Sequence, residues 1–254
     1  MKLLILGGTA DARHLTQAIY ESCTNVELVY SVAGLVRLPR VPATVISGGF
    51  TQHGGLAAYC SNNQIDAVLN ATHPFSSHMG HIASQACTDF GIHYWRFLRP
   101  QWQRQHGDDW QFFSDRSALI QALGEHQRIM LTLGQVCEAE LTQLSECQIW
   151  LRTAVEPKFT LPNNVTWIKA IGPFAEADEK SLLKQHQIQV IASKNSGGAA
   201  TEAKLSAARL LNLPILMLQR PTVSGPVEMN FDALVGKIAQ HTSHTAQHTK
   251  GTLP

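Results

Sequence analysis

Short apolar runs alternate with segments of helical periodicity along most of this 254-residue chain. The first run covers residues 3–6, and the segment that follows it to residue 20 carries its apolar residues at helical spacing. This alternation is typical of βα units, in which helices connect and cover the strands of a parallel sheet. We therefore expect an α/β fold, and the chain is long enough for two domains.

Two short strings occur once in each half of the chain. An X-Pro-Phe string follows predicted strands at residues 73–75 and 172–174, and Arg-Pro ends predicted strands at residues 99–100 and 220–221. We predict two Rossmann-like lobes, each a mainly parallel sheet flanked by helices. The predicted boundaries are 1–100 for an N-terminal lobe, 101–125 for a crossover, 126–241 for a C-terminal lobe and 242–254 for a disordered tail.

Composition excludes several classes of partner. The formal net charge of +1 provides no overall attraction to nucleic acid or to an anionic membrane. Five dispersed cysteines without a CxxC pair indicate reduced thiols. The first apolar run ends at Gly7-Gly8 and is too short for a signal peptide or a membrane span. We expect a cytoplasmic protein that binds neither nucleic acid nor membrane.

Ligands of open parallel sheets bind at the carboxyl ends of the strands, so residues at those ends are candidate site residues. The Gly7-Gly8-Thr9 turn follows the first strand and precedes a helix, whose N-terminus favours a diphosphate. A turn without a ligand is the alternative, because the full GxGxxG pattern is absent. The candidate cofactor-binding residues are Gly7, Gly8, Thr9, Ser31, Gly34, Arg37, Gly49, Phe50, Thr72 and Gly134.

The end of the second strand indicates which nicotinamide cofactor is used. An acidic residue usually stands there when the ribose 2′-hydroxyl of NADH is bound. Here the chain reads Ser31-Val32-Ala33-Gly34, with Arg37 just beyond. The sequence therefore favours NADPH, with NADH still possible, and it leaves open that Arg37 and Arg40 are only solvated charges.

Cations and small residues in the second half suggest a polyanionic substrate. Residues 193–198 read Ser-Lys-Asn-Ser-Gly-Gly between a predicted strand and helix, a combination suited to an anion-binding nest. Arginines at strand ends suit carboxylates. The candidate substrate-binding residues are Arg99, Arg152, Lys194, Asn195, Ser196, Gly197, Gly198 and Arg220.

Histidines provide a candidate proton donor but no metal site. His73 stands at a predicted strand end and could donate a proton, although a structural histidine is the commoner case. His78 and His81 lie three residues apart on a predicted helix without an evident third ligand. No metal is predicted.

These strings, in this order, resemble the precorrin-6A reductase family of cobalamin biosynthesis, which includes cobalt-precorrin-6A reductases. The resemblance extends from residue 3 to about residue 221, and its two most specific blocks are Ala71-Thr72-His73-Pro74-Phe75 and Lys194-Asn195-Ser196-Gly197-Gly198. The family commonly places an Asp before the first block, where this chain has Asn70.

The resemblance implies an activity and a substrate. It implies a ligand cleft between the two lobes and hydride transfer from NAD(P)H to one double bond of a tetrapyrrole, either metal-free or cobalt-containing. Such a substrate has a flat conjugated face and many carboxylates. The carbon next to the reduced position then needs a proton, which His73, Lys194 or water could supply.

Two other functions fit parts of the sequence. A non-catalytic NAD(P)-binding regulator would use the same turn, although no DNA-reading motif or basic stripe accompanies it. A sugar-nucleotide reductase would also use it, but those enzymes usually carry a Tyr-xxx-Lys pair that this sequence does not contain.

Overall fold

The computed structural model describes residues 1–34, 39–223 and 225–250, which form two compact units. Unit 1 comprises residues 1–99 together with the chain from Thr222 onward, and unit 2 comprises Pro100–Pro221. Each unit is built on one parallel sheet with helices packed against it. The predicted α/β class with two Rossmann-like lobes is confirmed.

Eleven strands and eight α-helices are described. The strands are β1 (Lys2–Leu6), β2 (Glu27–Val32), β3 (Thr44–Ser47), β4 (Ala67–Asn70), β5 (His93–Arg96), β6 (Trp110–Phe113), β7 (Arg128–Thr132), β8 (Gln148–Thr153), β9 (Val165–Lys169), β10 (Val190–Lys194) and β11 (Ile215–Leu218). The helices are α1 (Ala10–Ser22), α2 (Leu56–Asn62), α3 (Ser77–Asp89), α4 (Arg116–Leu123), α5 (Glu138–Thr142), α6 (Glu176–Gln185), α7 (Ala203–Leu211) and α8 (Phe231–Lys250).

The sheet of unit 1 has the strand order β3-β2-β1-β4-β5, and every pairing is parallel. The chain moves outward from β1 to β3 on one side and from β4 to β5 on the other. The order therefore reverses between β1 and β4, which is where such sheets bind ligands. β1 is central and covered on both faces, which explains why its residues 3–6 are continuously apolar and almost fully buried.

The sheet of unit 2 has the order β6-β11-β10-β7-β8-β9, again with parallel pairs throughout. Its strand order reverses between β7 and β10. Buried side chains of the central strands pack against α6 and α7 in one apolar cluster. The second candidate position for a ligand in this fold is therefore the carboxyl end of β7 and β10.

The unit boundaries differ from those predicted. The segment 101–125 contains β6 and α4 rather than only a crossover. β6 is a four-residue edge strand, and its mixed aromatic and polar residues give no clear period, because only part of it is buried. Helix α4 begins after Asp115, whose side chain accepts a hydrogen bond from the backbone N–H of Ala118 at 2.8 Å.

The final segment returns to unit 1, whereas the predicted C-terminal lobe extended to residue 241. Leu234 and Ile238 of α8 are fully buried in the same apolar cluster as Leu15 of α1. The apolar face of this helix was visible in the sequence, but the surface against which it packs was not. Helix α8 continues to Lys250, where a disordered tail from residue 242 was predicted.

Among the helices described within residues 1–250, none is both long enough and apolar enough to cross a membrane.

Candidate functional site

A cavity of about 290 Å³ opens at the carboxyl edge of the unit 1 sheet, where the strand order reverses. It is bounded by the last residues of β1 and β2 and by residues that follow β1, β2, β3 and β4. The lining residues are Leu6, Gly7, Gly8, Ser31, Val32, Ala33, Gly34, Gly49, Phe50, Thr72, His73, Ser76 and Met79. Most of the surface is apolar or backbone, with a few hydroxyl groups and one imidazole, as is usual for a small-molecule site.

The Gly7-Gly8 turn is shaped by Tyr30, a fully buried residue of β2. A Cβ atom on Gly7 would lie 2.2 Å from the Tyr30 ring, so only glycine fits there. The backbone N–H of Gly8 donates to the Tyr30 hydroxyl at 3.1 Å, and Gly8 has a φ of 99°. The sequence did not identify Tyr30, which occupies one backbone donor that the phosphate hypothesis had assigned to a ligand.

Replacing Gly7 with alanine is expected to lower both the stability of the fold and the affinity for a nucleotide. Overpacking against buried Tyr30 costs about 1–3 kcal/mol, because neither the ring nor the turn has space to move. Urea denaturation and fluorescence titration with NADPH measure the two losses. Gly34→Ala is the matched control for folding, since its Cβ would meet nothing within 4 Å. A stable Gly7→Ala variant would contradict this account of the turn.

Thr9 connects this turn to the neighbouring strand. Its side-chain oxygen accepts the N–H of Ala12 at 3.0 Å, which caps α1, and its hydroxyl donates to the carbonyl oxygen of Ala71 at 2.9 Å. The cap fixes the start of the helix, and the second bond joins the ends of β1 and β4. Thr9 therefore holds the rim of the cavity in place.

His73 and Phe50 are far apart in sequence but line the same cavity. The Nδ1 atom of His73 accepts the backbone N–H of Phe75 at 3.2 Å, which leaves Nε2 as the protonated nitrogen of a neutral ring. Phe50 is buried and its ring packs against Tyr59, with 5.2 Å between the ring centroids. Phe50 is thus both a core residue and a wall of the cavity.

A buried polar cluster stands directly behind Thr72. The Oδ1 atom of Asn70 accepts from the Thr72 hydroxyl at 2.8 Å and also from Arg96. Arg96 donates further to the Thr72 hydroxyl at 2.9 Å, and Asn70 donates to the Tyr94 hydroxyl at 3.0 Å. The sequence did not single out Arg96, although an arginine within an otherwise apolar or aromatic strand was a usable signal.

The structure brings most of the candidate cofactor residues together. Seven of the ten line the cavity: Gly7, Gly8, Ser31, Gly34, Gly49, Phe50 and Thr72. Thr9 lies at its rim, and Gly134 belongs to unit 2. Arg37 lies outside the described residues.

In unit 2, Lys194 and Gly134 meet where the strand order reverses. Gly134 follows β7 with a φ of 78°, and a Cβ there would lie 3.2 Å from Nζ of Lys194. Burial lowers the pKa of Lys194 to about 8; the nearby Arg116 also lowers it, and Glu140 opposes them. Arg116 is itself paired with Glu140 through two of its nitrogens. This lysine is able to exchange a proton near neutral pH.

Arg152 does not face solvent as a carboxylate-binding arginine would. Its guanidinium makes two hydrogen bonds to the Glu179 carboxylate, one of them 2.9 Å long, and both side chains are buried. The Cζ atom of the guanidinium also lies over the Phe174 ring, 4.3 Å from the ring centroid. These contacts favour a structural role over the predicted substrate contact.

Asn195 and Arg220 likewise make internal contacts. The Asn195 side chain pairs with both backbone groups of Trp102, at 3.0 and 3.3 Å. Arg220 donates to the carbonyl oxygens of Asn195, Ser196 and Pro100 at 2.7, 2.8 and 3.1 Å. They fix the path of the Lys194–Gly198 segment, so their contacts also favour a structural role.

The same segment leaves little space at one glycine. A Cβ on Gly197 would lie 2.0 Å from the Pro100 carbonyl oxygen, and both Gly197 and Gly198 have positive φ angles, of 67° and 84°. The two glycines are therefore required by the backbone path of unit 2.

Arg99 belongs to unit 1 and pairs with Asp11, with 2.6 Å between Nη1 and the carboxylate. Asp11 lies in the first turn of α1, beside the Gly7-Gly8-Thr9 turn. The pair offsets the negative charge of Asp11 at the helix N-terminus, where an anionic ligand would otherwise be repelled. Within unit 1, Arg99 is thus placed beside the helix that follows the Gly7-Gly8-Thr9 turn.

Comparison with known proteins extends over nearly the whole chain. The family model described as "Precorrin-6x reductase CbiJ/CobK" matches residues 2–241. The precorrin-6A reductase of Rhodococcus erythropolis is 38% identical over 242 residues, which cover 94% of this chain and 96% of that protein. The cobalt-precorrin-6A reductase of Priestia megaterium is 27% identical, with 94% and 99% covered.

A solved structure shares the fold. The structure titled "CobK precorrin-6A reductase" superposes with a TM-score of 0.86 at 32% sequence identity, covering 95% of this chain and 97% of that one. At this coverage the match extends over both units. The chain therefore belongs to the precorrin-6x reductase family, CbiJ/CobK.

Proposed function

We propose that this protein transfers a hydride from NADPH to one double bond of metal-free precorrin-6A, in cobalamin biosynthesis. The observation that carries the proposal is the cavity at the β1–β4 reversal, formed by a glycine turn at a helix N-terminus. Family membership supports the reaction class, and the cavity supports a dinucleotide as the reductant.

The residues at the cavity suit a nicotinamide dinucleotide. The Gly7-Gly8-Thr9 turn and the first turn of α1 would hold the pyrophosphate, since first-turn N–H groups lack acceptors within their helix. Ser31 and Gly34 would meet the adenosine ribose, while Gly49, Phe50 and Thr72 would bound the remaining space. The bound cofactor supplies the hydride, and the protein supplies position and electrostatics.

The choice of NADPH follows from charge at the end of β2. Among the described residues that line the cavity, none carries a carboxylate that would repel a 2′-phosphate. Arg13, in the first turn of α1, donates to the Thr9 carbonyl oxygen at 3.2 Å and adds a cation next to the turn. Arg37 follows the same strand in sequence and is the residue we assign to the 2′-phosphate.

Replacing Arg37 with alanine is expected to weaken NADPH binding about tenfold and to leave NADH binding unchanged, because a charge-assisted contact is lost only with NADPH. Parallel fluorescence titrations with the two nucleotides measure this. Arg40→Ala, which removes a nearby exposed cation, is the matched control. Equal affinities of NADPH for wild type and Arg37→Ala would remove the assigned role.

The proton that completes the reduction is assigned to Lys194. A pKa of about 8 keeps its ammonium protonated at neutral pH while making it a better acid than an ordinary lysine. His73 is the alternative donor, through its Nε2–H. The backbone N–H groups of Gly197 and Gly198 would meet substrate carboxylates, since Arg152, Asn195 and Arg220 are used in contacts within unit 2 and the Ser196 N–H donates to the Lys194 carbonyl oxygen.

The metal status of the substrate is inferred from similarity. Identity is 38% with a relative named for precorrin-6A and 27% with one named for cobalt-precorrin-6A. Measuring NADPH oxidation with each tetrapyrrole tests the inference. We expect a higher kcat/KM for the metal-free ring, and a higher value for the cobalt form would contradict it.

A further inference from the structure

Arg96 places a positive charge inside unit 1. It ends β5, only 3% of its surface is exposed, and it lies beside Asn70 in the strand register. A buried guanidinium is normally paired with a carboxylate, because an uncompensated charge is costly to remove from water.

The partners of Arg96 are neutral. It donates to the side-chain oxygens of Asn70 and Thr72, and within the described residues none of the ion pairs includes it. Its Nε atom is buried without a hydrogen-bond partner among those residues. Burial lowers the pKa of Arg96 from its ordinary value, and the neighbouring Tyr94 opposes this shift. The guanidinium therefore carries a charge that its surroundings do not neutralise.

This charge lies one residue behind the cavity wall. Thr72 lines the cavity, and its hydroxyl accepts from Arg96 at 2.9 Å while donating to Asn70 at 2.8 Å. Asn70 also accepts the backbone N–H of Thr72 at 3.2 Å, so the hydroxyl and the backbone N–H of Thr72 are both hydrogen-bonded to Asn70. Arg96 thus fixes this part of the wall and directs a positive potential toward the space next to the Gly7-Gly8-Thr9 turn.

We propose that Arg96 is a positioning residue whose uncompensated charge stabilises the pyrophosphate of the dinucleotide in this cavity, acting through Thr72. The proposal rests on the proposed nicotinamide-binding function, and it adds that Arg96, which does not itself line the cavity, increases the affinity for the dinucleotide. A charge held in protein near a partly solvated site changes the affinity for an anionic group by roughly tenfold.

Asn70→Asp tests the charge with almost no change of shape. The new carboxylate would neutralise Arg96 while still accepting the same hydrogen bonds, and the Tyr94 hydroxyl is able to donate where it now accepts. We expect binding of NADPH and of ADP to weaken roughly tenfold in titrations, and adenosine, which carries no phosphate, to bind as before. Thermal stability should stay equal or rise. Arg96→Gln removes the charge by a second route and should weaken the same two ligands.

Asn25→Asp is the matched control, because it adds the same charge in an exposed position before β2, at the opposite edge of the sheet. It should leave all three affinities unchanged. Equal ADP affinity in wild type and Asn70→Asp would overturn the role of Arg96, as would an equal loss for adenosine, which would indicate a change of shape. A wild type that bound neither NADPH nor NADH would instead overturn the proposed function.

Discussion

Replacing Lys194 with methionine is expected to lower kcat by about 10²–10⁴-fold, the usual contribution of a positioned general acid. Lys194 ends β10 where the unit 2 strand order reverses, and Nζ lies close to the Gly134 backbone. Methionine keeps the length of the side chain and removes the proton. The loss should appear in kcat with precorrin-6A and NADPH at saturation, because the contact matters most in the transition state.

The pH dependence of kcat provides a second readout. Burial lowers the pKa of Lys194 to about 8, so the ammonium is present below that pH and is lost as the pH rises through it. Wild-type kcat should therefore fall above about pH 8, and the residual activity of Lys194→Met should lack this decline.

Lys169→Met is the matched control, since Lys169 also ends a strand of the unit 2 sheet but is exposed. It should retain wild-type kcat and the same pH profile. A Lys194→Met enzyme with wild-type kcat would exclude Lys194 as the proton donor and leave His73 or water.

Replacing Glu179 with glutamine is expected to lower the free energy of unfolding by about 3–5 kcal/mol, because it leaves the buried charge of Arg152 without its partner. Only 6% of the Arg152 side chain and 4% of the Glu179 side chain are exposed. Urea denaturation measures the loss. Glu176→Gln, at an exposed position on the same helix, should change stability by less than about 0.5 kcal/mol.

The double variant Arg152→Met with Glu179→Met separates the structural role from substrate binding. Replacing both ions with apolar side chains should recover most of the stability lost in Glu179→Gln. If Arg152 only stabilises unit 2, this variant keeps the wild-type KM for the tetrapyrrole. A large increase in KM in a stable double variant would restore Arg152 as a substrate contact.

The sequence predicted the features that depend on local pattern. The buried strand β1 and the amphipathic α1 follow from apolar runs and helical spacing, and the Gly7-Gly8-Thr9 turn follows from their junction. Seven candidate cofactor residues line one cavity because parallel strands bring their carboxyl ends to one edge.

The sequence could not predict which groups accept hydrogen bonds from the arginines of unit 2. Arg152 lies one residue before the end of β8, as a ligand-binding arginine could, and its contacts depend on the position of Glu179 on α6. A signal was present, since Glu179 lies four residues before buried Leu183 and so on the buried face of its helix. Arg220 gave no such signal, because its acceptors are backbone carbonyl groups.

The most direct test of the proposed hydride transfer is to trace the hydrogen that leaves NADPH. NADPH carrying deuterium at the transferable position of the nicotinamide is mixed with wild-type protein and metal-free precorrin-6A in ordinary water. The mass of the tetrapyrrole product is then measured by mass spectrometry. We predict that each NADPH oxidised yields one reduced tetrapyrrole containing one deuterium, with the second hydrogen drawn from solvent. Oxidation of NADPH without deuterium in the tetrapyrrole, or no oxidation at all, would contradict direct hydride transfer by this protein.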